Sequence, residues 1–226
     1  MIPLKDENPA KHVAVVNYLL LFINITVFLL QVFYFPEGLS HWIGQYGFVP
    51  RNAIAWATTP ADLPVWTPLT VFTSMFMHGG WMHIAGNALF LYIFGDNVED
   101  VLGHFRYLCF YLACGLAATS AHAISNMHSV IPTIGASGAI AGVLGAYLFL
   151  FPKARVHTLI IIVIFFRIVK IPAFILLIYW IAIQVVSATI EQSSNSGGIA
   201  WFAHIGGFLA GFLLIMMMKK NRRRPY

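Results

Sequence analysis

The sequence predicts an all-α membrane protein, a helical bundle of six transmembrane helices, and three observations predict it. Of its 226 residues, 59% are apolar and only 9% are charged, whereas a soluble domain carries roughly 25% charged residues. A soluble globular enzyme is excluded, because there is too little charge to cover its surface. Disorder is excluded as well, since it requires low hydrophobicity and high net charge. The apolar residues gather into runs long enough to cross a bilayer, and the basic residues fall between them.

A hydrocarbon core about 30 Å thick takes about 20 apolar residues in a helix, and five runs approach that length, 13–35, 83–98, 106–124, 171–189 and 200–218. The first follows a polar head, residues 1–12, with Lys5, Asp6, Glu7 and Lys11. It resembles a secretory signal but exceeds the usual length, and no small-residue cleavage pattern follows, so it reads as a retained anchor. Residues of about 36–78 form a long outer loop rich in Gly and Pro, with Trp42, Trp56 and Trp66, a residue type that favours the membrane interface. The run 137–151, bounded by Gly135 and Pro152, spans only about 22 Å as a helix. It is too short to cross alone, so it is either no span or a helix that starts below the surface, where neighbouring helices and water satisfy its end. Residues 156–166, VHTLIIIVIFF, read as a buried or interfacial connection, with a seventh span as the alternative. No internal repeat is present, and the chain reads as one domain, 1–226, with a core at 13–218 and a basic tail at 219–226.

The positive-inside rule chooses between six and seven spans. With six spans and both termini inside, the inner segments hold Lys5, Lys11, Arg106, Lys153, Arg155, Arg167, Lys170, Lys219, Lys220, Arg222, Arg223 and Arg224, and the outer loops hold only Arg51. A seventh span would move the basic tail outside. The net charge of +5 is therefore juxtamembrane and implies a bilayer, not a nucleic-acid partner. Cys109 and Cys114, five apart in an apolar run, fall on different sides of one helix and read as packing thiols.

Polar residues inside a membrane are costly, so each is a candidate for function until packing explains it. Asn17, Asn24 and Gln184 read as hydrogen-bonding groups between helices. Asp96, Glu99 and Asp100, near Arg106, read as charges at the inner interface. A different set gathers at the outer side. The second span opens with HGGWMHIAGN, giving His78, His83 and Asn87; the fourth opens with GASGAIAG, giving Ser137; the sixth opens with AHIGGFLAG, giving His204. Even-numbered spans all begin outside, so these residues share one depth. His83 and Asn87, four apart, lie on one helical face. Ser137 stands between small residues at a helix start, where free N–H groups and the dipole favour a developing anion. The stripes Ser137, Ala141, Gly145 and Ala203, Gly207, Gly211 allow close helix approach, which brings His204 toward Ser137.

These are the parts of a serine hydrolase. Neutral histidine can take the proton of a weakly nucleophilic hydroxyl, and histidine, asparagine and backbone N–H groups can hold an oxyanion. No Asp or Glu lies at that depth, so the arrangement is a Ser–His dyad without a third member. Two alternatives remain at this level. His78, His83 and His204 could form a zinc site, which leaves Ser137 and Asn87 without a role, or the whole set could serve packing. His12, His41, His104, His122, His128 and His157 fall in loops or span ends and are assigned no chemistry.

The motifs His78-x4-His83-x3-Asn87, Gly135-Ala136-Ser137-Gly138 and Ala203-His204-x2-Gly207-x3-Gly211 resemble those of the rhomboid intramembrane serine proteases of bacterial type, in order, depth and span count. The resemblance implies a catalytic pair in which Ser137 is the nucleophile and His204 the base and later the acid. It also implies an oxyanion hole of His83, Asn87 and the Ser137 backbone N–H, with His78 in a supporting polar network, and neither metal nor cofactor. The implied substrates are transmembrane segments of other proteins, cut after a small residue in a helix-weakening context. They would enter laterally near the fifth span, with 191–199 as a cap. The same fold also includes members that bind membrane clients without cutting them. Two positions depart from the family pattern: Leu69 and Thr70 stand where many relatives carry Trp-Arg, and Ala141 stands where some carry an aromatic under the base. The expected residence is a bacterial plasma membrane, because the short termini hold no transit peptide, with both termini cytoplasmic and the site opening outward.

Overall fold

The computed structural model describes residues 1–34, 38–162, 164–194 and 200–219. In chain order it holds β1 (Ile2–Asp6), α1 (Val15–Phe33), α2 (Gly38–Tyr46), α3 (Pro50–Thr58), α4 (Thr70–Thr73), α5 (Trp81–Leu102), α6 (His104–Ser125), α7 (Ser137–Leu150), β2 (Arg155–Ile162), β3 (Phe165–Pro172), α8 (Ala173–Ser194) and α9 (Trp201–Met218). All six apolar runs are helices, namely α1, α5, α6, α7, α8 and α9. Stretches of four of them, in α1, α6, α8 and α9, are long and apolar enough to cross a membrane. Helix α5 has 22 residues, but its far end carries Asp96, Glu99 and Asp100.

Helix α7 occupies the centre. Every residue from Gly138 to Tyr147 is buried, against α5, α6 and α9. Between lipid-soluble helices, association rests on close van der Waals fit and hydrogen bonds, not on expulsion of water. The α7–α9 contact is backbone on backbone: a Cβ on Gly207 would lie 2.0 Å from the Gly138 carbonyl oxygen, and one on Gly211 2.0 Å from that of Gly142. Any side chain there would force the helices apart and carry His204 away from Ser137. Cys114 packs against Gly142, and both cysteines are free, consistent with packing thiols.

Two of the polar residues expected between helices behave as follows. Asn17 ties three helices together, donating to the Leu91 carbonyl at 3.1 Å and accepting from the Tyr107 hydroxyl at 2.8 Å. Asn24 donates within its own helix, to the Leu20 carbonyl.

Three expectations need correction. The chain is not all-α: β1, β2 and β3 form an antiparallel sheet in that order, at the end of α7 opposite Ser137. The connection at 156–166 is part of its β2–β3 hairpin. Isoleucine, valine and threonine, stiff at χ1, favour a pleated strand, and β1 supplies an edge through pairs such as Asp6–Val156 and Ile2–Leu159. Second, Glu99 is no interfacial charge. It is 1% exposed and its carboxyl oxygens accept the backbone N–H groups of Val16 and Asn17, at 2.9 and 2.7 Å, at the start of α1. No residue of α1 caps that helix itself, so α5 performs the capping. Asp100 contacts His12, not Arg106. Third, the long loop between α1 and α5 holds secondary structure of its own, α2, α3, α4 and short 3-10 turns.

Candidate active site

The first turn of α7 positions Ser137. Ahead of it, Gly135 takes φ +121°, a conformation that L side chains rarely adopt, and donates its N–H to the Ser74 carbonyl at 2.9 Å. The preceding loop is held by a two-way backbone bridge between Phe48 and Thr133, so the long loop between α1 and α5 braces the approach to the serine. Where the Trp-Arg pair is missing, short side chains secure the loop: Thr67 Oγ1 donates to the Pro64 carbonyl and Thr70 Oγ1 to that of Thr67, both at 2.7 Å.

Ser137 and His204, from α7 and α9, meet at 2.8 Å between Oγ and Nε2. On the other ring nitrogen, His204 Nδ1 lies 2.7 Å from Gln184 Oε1. The Gln184 amide is itself oriented, because its Nε2 donates to the Trp180 carbonyl at 3.3 Å and so leaves the oxygen for the histidine. An amide oxygen can only accept, so Nδ1 carries the proton and Nε2 offers its lone pair to the serine hydroxyl. The Trp180 ring lies 5.8 Å from the imidazole. Gln184 was read above as a hydrogen-bonding group between helices, and it is one, joining α8 to α9; its partner, His204, was not foreseen, and the contact orients that ring where Ala141 offers no aromatic. Only its apolar surroundings, in which a polar amide needs a partner, pointed to it.

His83 and Asn87 face the same spot from α5. The Gly79 N–H donates to His83 Nδ1 at 3.4 Å, which leaves the ring proton on Nε2. A Cβ on Gly135 would stand 2.7 Å from His83 Nε2 and 3.6 Å from Asn87 Nδ2, so both donors converge beside the α7 N-terminus. Asn87 Nδ2 is buried without a hydrogen-bond partner among the described residues. His78 is fully buried one ring away, its centroid 5.1 Å from that of His83. Its backbone N–H donates to Gln31 Oε1 at 3.2 Å, which links it to α1, while both of its ring nitrogens are buried without a hydrogen-bond partner among the described residues. A cavity of about 790 Å³ opens over this group and is lined by Ser137, His204, His83, Asn87, Gln184 and Trp201, among others. Among the described residues, no group of three His, Cys, Asp or Glu is arranged to hold a metal. Of the expected cap at 191–199, α8 runs to Ser194 and residues 195–199 lie outside the described residues, as does the tail from 220.

A family model described as the Rhomboid domain matches residues 65–221. The chain is 33% identical over 144 residues to "Rhomboid protease GluP" of Bacillus subtilis, covering 64% of this chain and 25% of that protein. It is 31% identical over 145 residues to "RHOMBOID-like protein 1" of Arabidopsis thaliana, covering 64% and 33%, and 27% identical over 161 residues to "Putative rhomboid protease YdcA" of B. subtilis, covering 69% and 70%. The chain thus spans about a quarter to a third of the first two. Similar proteins occur in yeast as well, so the comparisons do not select the bacterial membrane expected above.

Proposed function

The chain belongs to the rhomboid family, and on that premise we propose that this integral membrane protein is an intramembrane serine endopeptidase that cuts transmembrane segments of other proteins. The observation that carries the reading is the 2.8 Å contact between Ser137 Oγ and His204 Nε2 under a cavity faced by the α5 donors. As Ser137 Oγ attacks the scissile carbonyl carbon, its proton passes to His204 Nε2. The resulting oxyanion is held by the Ser137 N–H, His83 Nε2–H and Asn87 Nδ2–H, which are in place before charge develops. His204 then gives its proton to the departing amine nitrogen as the C–N bond breaks. Water, deprotonated by the same imidazole, releases the acyl group and restores Ser137. Gln184 keeps Nδ1–H engaged throughout and stabilises the imidazolium. His78 supports His83 from behind.

Six spans, both termini on the inner side and a site opening outward complete the reading, supported by the basic residues at the sheet end of α7 and by the α7 N-terminus lying at the opposite end. The short α7 begins below the outer surface, which gives the dyad a water-filled approach within the bilayer.

The test uses purified protein in liposomes with a model transmembrane substrate. Ser137→Ala and His204→Ala should each lower cleavage by at least about 10³-fold with the helical circular dichroism retained, and a fluorophosphonate should label Ser137 in the parent alone. Full cleavage by either folded variant would sink the dyad. Absence of labelling and of cleavage in the parent, across several lipids, would favour a client-binding protein instead.

A further inference from the structure

The β2–β3 hairpin continues past the last residue of β2 that β1 pairs with. Its stem is packed, with Val156 and Thr158 fully buried, and β1 pairs with β2 as far as Ile2–Leu159. Beyond that pair come Ile160–Arg167, Ile161–Phe166 and Ile162–Phe165. Successive pairs point to opposite faces, so both faces of the tip are apolar. Ile161, Ile162, Ile164, Phe165 and Phe166 are 48–74% exposed. A hairpin meant for water presents polar residues on its open face and at its turn, and so large an apolar patch marks a contact surface.

We propose that this tip is a wedge seated in the membrane leaflet on the side opposite Ser137, at the boundary between headgroups and acyl chains, with a preference for anionic lipid. The proposal is independent of the peptidase reading. Three observations choose this occupant. Arg155 and Arg167 are exposed and have no carboxylate partner among the described residues, so the hairpin carries free positive charge in its stem and at the first pair of its tip, below the apolar end, the pattern that recognises anionic headgroups. Lys170, by contrast, is already paired with Glu7 at 2.5 Å. The three residues beyond Leu159 reach about 10 Å, which matches the 5–10 Å burial of interfacial apolar elements. Finally, the outer edge of β3 and the end of β2 have open backbone groups, which the hydrocarbon core cannot satisfy but water and lipid phosphates at the boundary can. The same open edges exclude a seventh span. Pairing of β3 with a second copy is disfavoured by the cations Arg167 and Lys170 on that edge.

The experiment places a nitroxide on Ile164→Cys, and separately on Phe166→Cys, in full-length protein with Cys109→Ala and Cys114→Ala, reconstituted in phosphatidylcholine or in an equal mixture with phosphatidylglycerol. Collisions with oxygen should exceed those with a water-soluble nickel chelate at both sites, giving a depth of about 5–10 Å below the phosphates. Phosphatidylglycerol should deepen the label, and Arg155→Gln with Arg167→Gln should bring it toward the surface and abolish the lipid dependence. Nickel collisions dominating at both sites would overturn the wedge. Spin–spin broadening relieved by unlabelled protein would replace it with a second copy, and equal depth in both lipids would overturn the anionic preference.

Discussion

The two ends of α7 treat polar groups in opposite ways. At the sheet end, the Tyr147 hydroxyl donates to Asp6 Oδ2 at 2.6 Å, Asn97 Nδ2 donates to the same oxygen at 3.1 Å, and both oxygens of Glu99 hold backbone N–H groups of α1. At the Ser137 end, Asn87 Nδ2 is buried without a protein partner among the described residues, and the His83 ring proton faces Gly135. A buried donor left unpaired costs about 1–3 kcal/mol. One end of the helix uses the Asp6 and Glu99 carboxylates for assembly, while the other leaves donors free beside a cavity, where, on the proposed reading, a substrate oxyanion would accept from them. Buried donors without a partner occur elsewhere among the described residues, at Gln31 Nε2 and the Tyr111 hydroxyl, but Asn87 lines the cavity beside Ser137 and they do not.

The largest effect that can break this contrast is at Asn87. Asn87→Ala should lower kcat by about 10²–10³-fold and leave the thermal midpoint unchanged or raised, since it removes an unpaired polar group. A loss of stability with activity intact would place Asn87 among the assembly residues. Gln184 sharpens the contrast because it is saturated yet lies at the chemical end. Gln184→Ala should cost about tenfold to a hundredfold in kcat with KM steady, the equivalent of one hydrogen bond to a developing charge, and slow fluorophosphonate labelling in proportion. Gln184→Glu should restore much of both, because a carboxyl oxygen also accepts from His204 Nδ1–H. A merely structural role would lower the midpoint and leave the labelling rate per folded molecule untouched.

Much of this was legible in the chain alone, for definite reasons. Long apolar runs admit one solution in lipid, the helix, and all six were helices. Ser137, His204, His83 and Asn87 stood out because each is polar where polarity is expensive, and the order of the spans put the helix starts that carry them at one depth. What escaped notice depended on rotation or distant pairing. Gln184 resembled any glutamine in an apolar helix until the turn of α8 aimed it at His204. Glu99 caps a helix 82 residues earlier in the chain, and nothing local reveals that. The β2 and β3 runs lack the alternation that identifies a half-buried strand, because their tip is apolar on both faces, and their third strand comes from the N-terminal head.

Glu99 provides a test at the saturated end, with a smaller effect on a different quantity. Glu99→Ala leaves the Val16 and Asn17 N–H groups unsatisfied in a buried setting, at a cost of about 1–3 kcal/mol, read as a lower thermal midpoint in nanodiscs. Cleavage per folded molecule should be unchanged. A fall in kcat without a fall in midpoint would mean that the two ends of the bundle are coupled.

The smallest effect is a proton linkage at Asp6. Burial, followed by lesser influences that include a neighbouring Asp96, raises its carboxyl from 3.8 to about 6, although the Tyr147 hydrogen bond pulls the other way. A raised acid binds its proton more tightly in the folded chain than in the unfolded one, so its contribution to stability is present at low pH and fades as pH rises from about 4 to about 6. Glu7 runs oppositely: its bonds to Lys170 and His157 lower its carboxyl, so its contribution fades as pH falls, but it is exposed and its pairs are screened. Hydrogen exchange at β1 and at the Glu7 N–H, which donates to the Arg155 carbonyl, should therefore lose protection between pH 4 and 6 after correction for intrinsic rates. Asp6→Asn keeps an acceptor for Tyr147 but has no proton to release, and should flatten the profile. A flat profile in the parent would show that the saturated end holds its carboxylate without strain, and the contrast between the two ends would then rest on hydrogen bonding alone.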